Sequence, residues 1–143
     1  MTTWSFVHEV EAAAEPEQAW AFWTDVSNWR FDPSLESVTL EPGFVTGARG
    51  VTRPRGGEAI EWLLRDVGER SAHIEIDLPG ALVTFRWSFE AIRPGFTRIR
   101  QAASLSGPRA ADYVEQAQTA LASGIPEGMR RLAEEIGRRH KKT

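Results

Sequence analysis

The chain has 143 residues, 41% hydrophobic and 26% charged, with a net charge of −3, six tryptophans and no cysteine. That is the composition of an ordinary globular protein large enough to bury a core. It excludes disulfides and thiolate chemistry, gives no electrostatic reason to expect nucleic acid, and contains no apolar run near the roughly 20 residues of a membrane span. Met1-Thr2-Thr3-Trp4 lacks the basic and apolar blocks of a signal peptide, so one cytoplasmic domain spanning 1–143 is expected.

Trp4 to Glu11 alternates, with Trp4, Phe6, His8 and Val10 on one face and Ser5, Val7, Glu9 and Glu11 on the other. This predicts a half-buried strand with His8 pointing inward. Ala14-Glu15-Pro16-Glu17 opens a helix, because proline fits the first turn and acidic side chains favour the positive end of the helix dipole. Ala19, Trp20, Phe22, Trp23 and Val26 give that helix a broad apolar surface. Ser27-Asn28 ends it or begins a second short turn. Asp32-Pro33, closing Trp29-Arg30-Phe31-Asp32-Pro33, marks a boundary.

From Ser34 to Leu105 the period is close to two. Strands are expected at Leu35–Glu41, Ala48–Arg53, Glu58–Asp66, Ser71–Leu78, Ala81–Ile92 and Phe96–Leu105. Turn chemistry separates them at Pro42-Gly43, Pro54-Arg55-Gly56-Gly57, Pro79-Gly80 and Arg93-Pro94-Gly95. Successive strands joined by short turns make an antiparallel meander with one dry and one wet face. The dry face should carry Ile60, Trp62, Leu64, Ile74, Ile76, Phe85, Trp87, Phe89, Ile99 and Gln101. Arg86, Arg98 and Arg100 should be solvated.

Asp112 to His140 has a helical period. Val114, Ala117, Leu121, Ile125, Met129, Leu132 and Ile136 draw one apolar stripe, so Leu121 and Leu132 are both expected in the core. Ser123-Gly124-Ile125-Pro126 interrupts it, yet the apolar phase survives. A kinked helix, or two helices nearly in line, is expected there. The stripe and the dry face of the sheet need each other, and a curved sheet gripping one long helix is the simplest solution.

This order of elements resembles the START-like helix-grip superfamily, also labelled SRPBCC, with its polyketide cyclase/dehydrase-like and coenzyme Q-binding-like branches. The likeness is strongest from Ala13 to Pro33, in Pro16-Glu17, Trp20, Asp25-Val26, Trp29 and Asp32-Pro33. Gly43, Gly47, Gly50, Pro94-Gly95 with Thr97, and Leu132-Ala133 extend it along the chain. These motifs are structural, so no catalytic residue is carried over. The resemblance implies an α+β helix-grip fold of about seven strands, with one or two short helices after the first strand. It also implies a hydrophobic cavity between the sheet and the C-terminal helix.

The expected function is binding of a small, largely hydrophobic molecule in that cavity. Trp62, Phe85 and Trp87 would be walls, His8 and Gln101 polar anchors, and Ile125 and Met129 the helical lid. Two alternatives stay open. An aromatase/cyclase-like enzyme would use the same cavity with His8 as its only plausible acid or base, and an interaction protein would have a closed core. No cofactor is expected. His8, His73 and His140 do not form a metal set, because only His8 points inward. Arg53, Arg55 and Gly56-Gly57 make at most a weak anion site. The basic tail Arg138-Arg139-His140-Lys141-Lys142 reads as a solvated end rather than a membrane or RNA contact. The expected partner is the small molecule alone, without nucleic acid or stable membrane insertion, and the chain is expected to be a monomer or homodimer.

Overall fold

A computed structural model describes residues 2–140. Seven strands form one antiparallel sheet: β1 (Thr2–Ala12), β2 (Leu35–Glu41), β3 (Arg49–Pro54), β4 (Ile60–Arg65), β5 (Ser71–Leu78), β6 (Ala81–Arg93) and β7 (Phe96–Ser106). Their spatial order is β1-β7-β6-β5-β4-β3-β2. The meander therefore runs from β2 to β7, and β1 pairs with the last strand. Helix α1 (Pro16–Thr24) and a 3₁₀ turn (Val26–Phe31) carry the chain from one sheet edge to the other. After a second 3₁₀ turn, Ala110–Tyr113, helix α2 (Val114–Arg139) crosses the inner face.

The register agrees with the alternation read from the sequence. Trp87 stands opposite Gln101, Phe89 opposite Ile99, and His8 opposite Gln101 on the other side of β7. Ile99, Gln101 and Phe89 are buried, and Phe85 and Trp87 are half-buried. Arg98 and Arg100 lie on the outer face, where they meet Glu9 and Glu90. Arg86 reaches from the same face to the hydroxyl of Ser104 at 3.3 Å. A slip of one residue would have exchanged these two sets.

Local chemistry fixes the crossing. Pro16 sits in the first turn of α1, as the sequence suggests, and Gln18 accepts a hydrogen bond from the Glu15 amide at 2.9 Å. The Asp25 carboxylate accepts from the amide and hydroxyl of Ser27, which starts the 3₁₀ turn. The Thr97 hydroxyl, fully buried, donates to the Ala14 carbonyl at 2.8 Å and ties β7 to the β1–α1 corner.

Three expectations about α2 change. The helix begins at Val114 rather than Asp112, after the separate 3₁₀ turn. It is one 26-residue element containing Pro126, so the two-helix alternative falls. The lost donor of Pro126 costs one intrahelical bond, and packing on both sides outweighs it. The stripe is also uneven: Ile125, Met129, Leu132 and Ile136 are buried, whereas Leu121 is only half-buried. Lys141 and Lys142 of the basic tail lie outside the described residues. Arg138 and Arg139 pair with Glu135.

Candidate functional site

The inner face is not filled to the same depth everywhere. Near α1 and the C-terminal half of α2, Ala12, Ala19, Phe89, Ile99, Leu132 and Ile136 close-pack. Further along, a cavity of about 340 Å³ opens between the sheet, the 3₁₀ turn and the middle of α2. Six successive strands contribute to it: Leu35 from β2, Thr52 from β3, Ile60 and Trp62 from β4, Ile74 and Ile76 from β5, Phe85 and Trp87 from β6, and Gln101 from β7. Trp23, Trp29, Phe31 and Asp32 close one side. Leu121, Gly124, Ile125, Gly128, Met129 and Leu132 of α2 form the roof.

The aromatic wall is held in place from behind. Gly50 stands opposite Trp62 across β3 and β4. A Cβ added at Gly50 would collide with the Trp62 ring, so only glycine lets that indole lie across the strand. Trp29 stacks on Trp62 with centroids 5.5 Å apart and planes 15° apart. The Trp62 indole N–H donates to the Thr52 hydroxyl at 3.0 Å, and the Trp29 N–H donates to the Trp23 carbonyl at 2.6 Å. Trp23 in turn contacts Trp87 at 4.9 Å. Each cavity indole is thus fixed by a second ring, a hydrogen bond or both, and their faces are rigid.

The cavity holds few polar groups. Asp32 is the one charged side chain among its described lining residues, and its Oδ1 already accepts from the amide and hydroxyl of Ser34. Thr52 is engaged by Trp62. Gln101 is 7% exposed, and its carboxamide has no hydrogen-bond partner among the described residues.

Of the residues singled out in the sequence, Trp62, Phe85, Trp87, Gln101, Ile125 and Met129 all line this cavity. His8 does not. It lies on the same sheet face, half-buried and in register with Gln101, but outside the lining. The other histidines lie elsewhere: His73 pairs with Asp66 at 3.1 Å, and the His140 ring contacts the Ile136 carbonyl at 2.9 Å. Among the described residues no three His, Cys, Asp or Glu side chains cluster as metal ligands would. Arg55 donates to the Pro33 carbonyl at 3.1 Å and so belongs to the wall of the β2–β3 corner.

Sequence reading missed Trp23, Trp29, Phe31, Asp32, Leu35, Thr52 and Gly128 as lining. The run Trp29-Arg30-Phe31-Asp32-Pro33 held the signal. Two aromatics and a carboxylate in a short turn at a boundary are more than a boundary needs. No period exists in a 3₁₀ turn to say which way they point.

A long helix gripped by a curved antiparallel meander, with short helices after the first strand, is the START-like helix-grip fold. The family model for polyketide cyclase/dehydrase and lipid transport matches residues 3–137, and the chain belongs to that family. Solved structures agree on the fold. A Nitrosomonas europaea protein superposes with a TM-score of 0.76 at 13% identity, covering 94% of this chain and 95% of that one. A START superfamily protein from Mycobacterium smegmatis gives 0.67 at 13% identity, covering 92% and 98%. Norcoclaurine synthase from Thalictrum flavum, in complex with dopamine and hydroxybenzaldehyde, gives 0.72 at 15% identity, covering 98% and 89%. A search of curated proteins finds no match to this sequence. Among the described residues no helix is long and apolar enough to cross a membrane.

Proposed function

We propose that the protein binds a small, flat, largely apolar molecule in the cavity between the sheet and α2. One observation carries this reading: α2 has glycines where it roofs the cavity. A Cβ added at half-buried Gly128, or at Gly124 on the exposed rim of the cavity, would meet nothing within 4 Å. Glycine in a helix interior costs about 1 kcal/mol relative to alanine, so a helix that only plugged the sheet would be better served by alanine at both positions. The room is worth that cost if something else occupies it. A volume of about 340 Å³ is at the small end of ligand sites, and aromatic walls with a few convergent polar groups are their usual lining.

Trp62, Phe85 and Trp87 are the walls in this reading, Ile125 and Met129 the roof, and Gln101 the internal polar anchor. Binding is favoured over turnover because His8, the acid or base a cyclase reading relied on, is not among the lining residues. The reading takes the chain as one cytoplasmic domain, monomeric or dimeric, with no nucleic-acid partner.

The test is Gly124→Ala with Gly128→Ala. Thermal stability should rise, by up to about 1 kcal/mol per site. Native mass spectrometry of freshly purified protein should show a small molecule retained by the original chain and reduced in the variant. A variant that is less stable and retains the same molecule undiminished would overturn the reading, because the glycines would then serve packing.

A further inference from the structure

Among the buried residues that line the cavity, one polar side chain is not used by the fold. Gln101 sits mid-strand on β7, between His8 on β1 and Trp87 on β6. Buried polar side chains nearly always find partners, and an unpaired buried amide is costly. Gln101 is 7% exposed and lines the cavity; its carboxamide makes no hydrogen bond to any described residue, and its polar atoms are not among the fully buried unpaired ones, so they open onto the cavity. The other polar lining groups differ, because Thr52 and Asp32 each already bond within the protein. Gln101 therefore contributes little to holding the fold together. A hydrophobic side chain of similar size would fill its place with less desolvation cost.

We infer that Gln101 is the specificity residue of the cavity, and that the ligand is a planar ring system with a hydrogen-bond donor and an acceptor side by side on one edge. The inference rests on the binding function proposed above. A carboxamide offers one carbonyl acceptor and an NH₂ donor in a single plane. A ligand group that only accepts or only donates leaves half of it unpaired once the ligand shuts out solvent. An edge with both, as in a lactam or a hydroxy-ketone, satisfies the two with parallel hydrogen bonds. Planarity follows from the walls. The Trp62 and Trp87 indoles line the sheet side with Trp29 stacked on Trp62, so the walls are built of flat rings, and a Cβ at Gly124 or Gly128 on the helix side would meet nothing within 4 Å.

The experiment uses the full chain and three two-ring probes: 2-quinolone, with an adjacent N–H and C=O; quinoline, with an acceptor only; and naphthalene, with neither. Binding is read at neutral pH from the indole N–H resonances in ¹H–¹⁵N spectra. Trp23, Trp29, Trp62 and Trp87 line the cavity, whereas Trp4 and Trp20 do not, so a cavity ligand moves the first four. Each probe is titrated against the original chain and against Gln101→Leu, with Gln101→Met as a second apolar variant. Two neutral hydrogen bonds correspond to roughly a tenfold to hundredfold difference in affinity. The expected result is a loss of that size for 2-quinolone in both variants, a smaller loss for quinoline, and an unchanged or tighter fit for naphthalene. The melting temperature of the variants should hold or rise, because no internal hydrogen bond is removed.

Equal losses for all three probes, or a fall in melting temperature in both variants, would overturn the role of Gln101 and leave the cavity reading standing. No movement of the four cavity indoles with any probe would overturn both.

Discussion

The two halves of α2 are built differently, although they share one helix and one apolar phase. From Ile125 onward four large apolar side chains are buried: Ile125, Met129, Leu132 and Ile136. The outward side of that half carries a chain of ion pairs linking Glu127, Arg130, Arg131 and Glu134, and another linking Glu135, Arg138 and Arg139. Before Ile125, Val114, Ala117 and Leu121 are only half-buried. The first turn is held through a separate small cluster with Ala81, Leu105 and Ala110. The Tyr113 hydroxyl, just ahead of it, donates to the Pro79 carbonyl at 2.8 Å. The stretch from Gln118 to Gly124 lies between these anchors and over the mouth of the cavity. Local stability follows buried contacts, so this middle stretch is the part of the roof best able to yield. In the binding reading proposed above, the lower half supplies stability and the middle supplies access.

The largest expected effect tests that division directly. Leu132 is 1% exposed, and Leu132→Ala should cost roughly 2–5 kcal/mol in denaturant unfolding. Leu121→Ala, at the half-buried position, should cost well under half as much, because its truncated space opens onto an existing cavity. Equal losses at the two sites would show that the roof is packed uniformly and would remove the distinction.

The second prediction concerns the boundary between the halves. We hypothesise that Gly124 and Pro126 form a hinge at the cavity mouth, since they sit where the packed half of α2 ends. In Gly124→Ala with Pro126→Ala, helix propensity favours the variant by up to about 4 kcal/mol if the backbone can straighten. Stability should then hold or rise while exchange of a bound probe such as 2-quinolone slows. If Gly124 and Pro126 instead set the path that fits α2 to the sheet, replacing them damages packing. The double variant would lose more than about 1 kcal/mol with probe exchange unchanged, and the hinge would be abandoned.

How much of this was legible before folding depends on the kind of residue. The sheet faces were, because a period of two fixes them once one face is dry. Arg98 and Arg100 outside, with Ile99 and Gln101 inside, follow from alternation alone. The walls Trp62, Phe85 and Trp87 came with the strands that carry them. Of the roof glycines, Gly124 stood out through the break it makes with Pro126 and Gly128 not at all, since a helical wheel shows direction but not whether space or a side chain lies opposite. The Gly50–Trp62 seat was not legible, because it depends on which residues of β3 and β4 pair. His8 shows the limit of the face argument. It has the right face, but β1 is the far edge of the sheet from β3 and β4, and the cavity stops short of it.

The smallest expected effect concerns the charged staples of the lower half. Hydrogen bonds from Arg130 and then Arg131 hold the Glu127 carboxyl below its ordinary range, and those from Arg138 and Arg139 do the same for Glu135. A carboxyl whose folded pKa is depressed contributes stability above its unfolded pKa and loses it as pH falls through the folded value. The contribution should therefore be complete at neutral pH and should fade below about pH 4, the ordinary glutamate range. These pairs are solvent-facing, so they are screened by salt and weak individually. Melting temperatures of the original chain and of Glu127→Gln with Glu135→Gln, compared from pH 7 to pH 3, should differ slightly at the neutral end and converge at the acid end. Added salt should shrink the neutral difference. A difference that grows toward acid would reverse the sign and show that the carboxylates are strained rather than satisfied. Coincident curves at every pH would leave Ile125, Met129, Leu132 and Ile136 as the sole anchor of the lower half, which sharpens the contrast with the thinly packed stretch above the cavity.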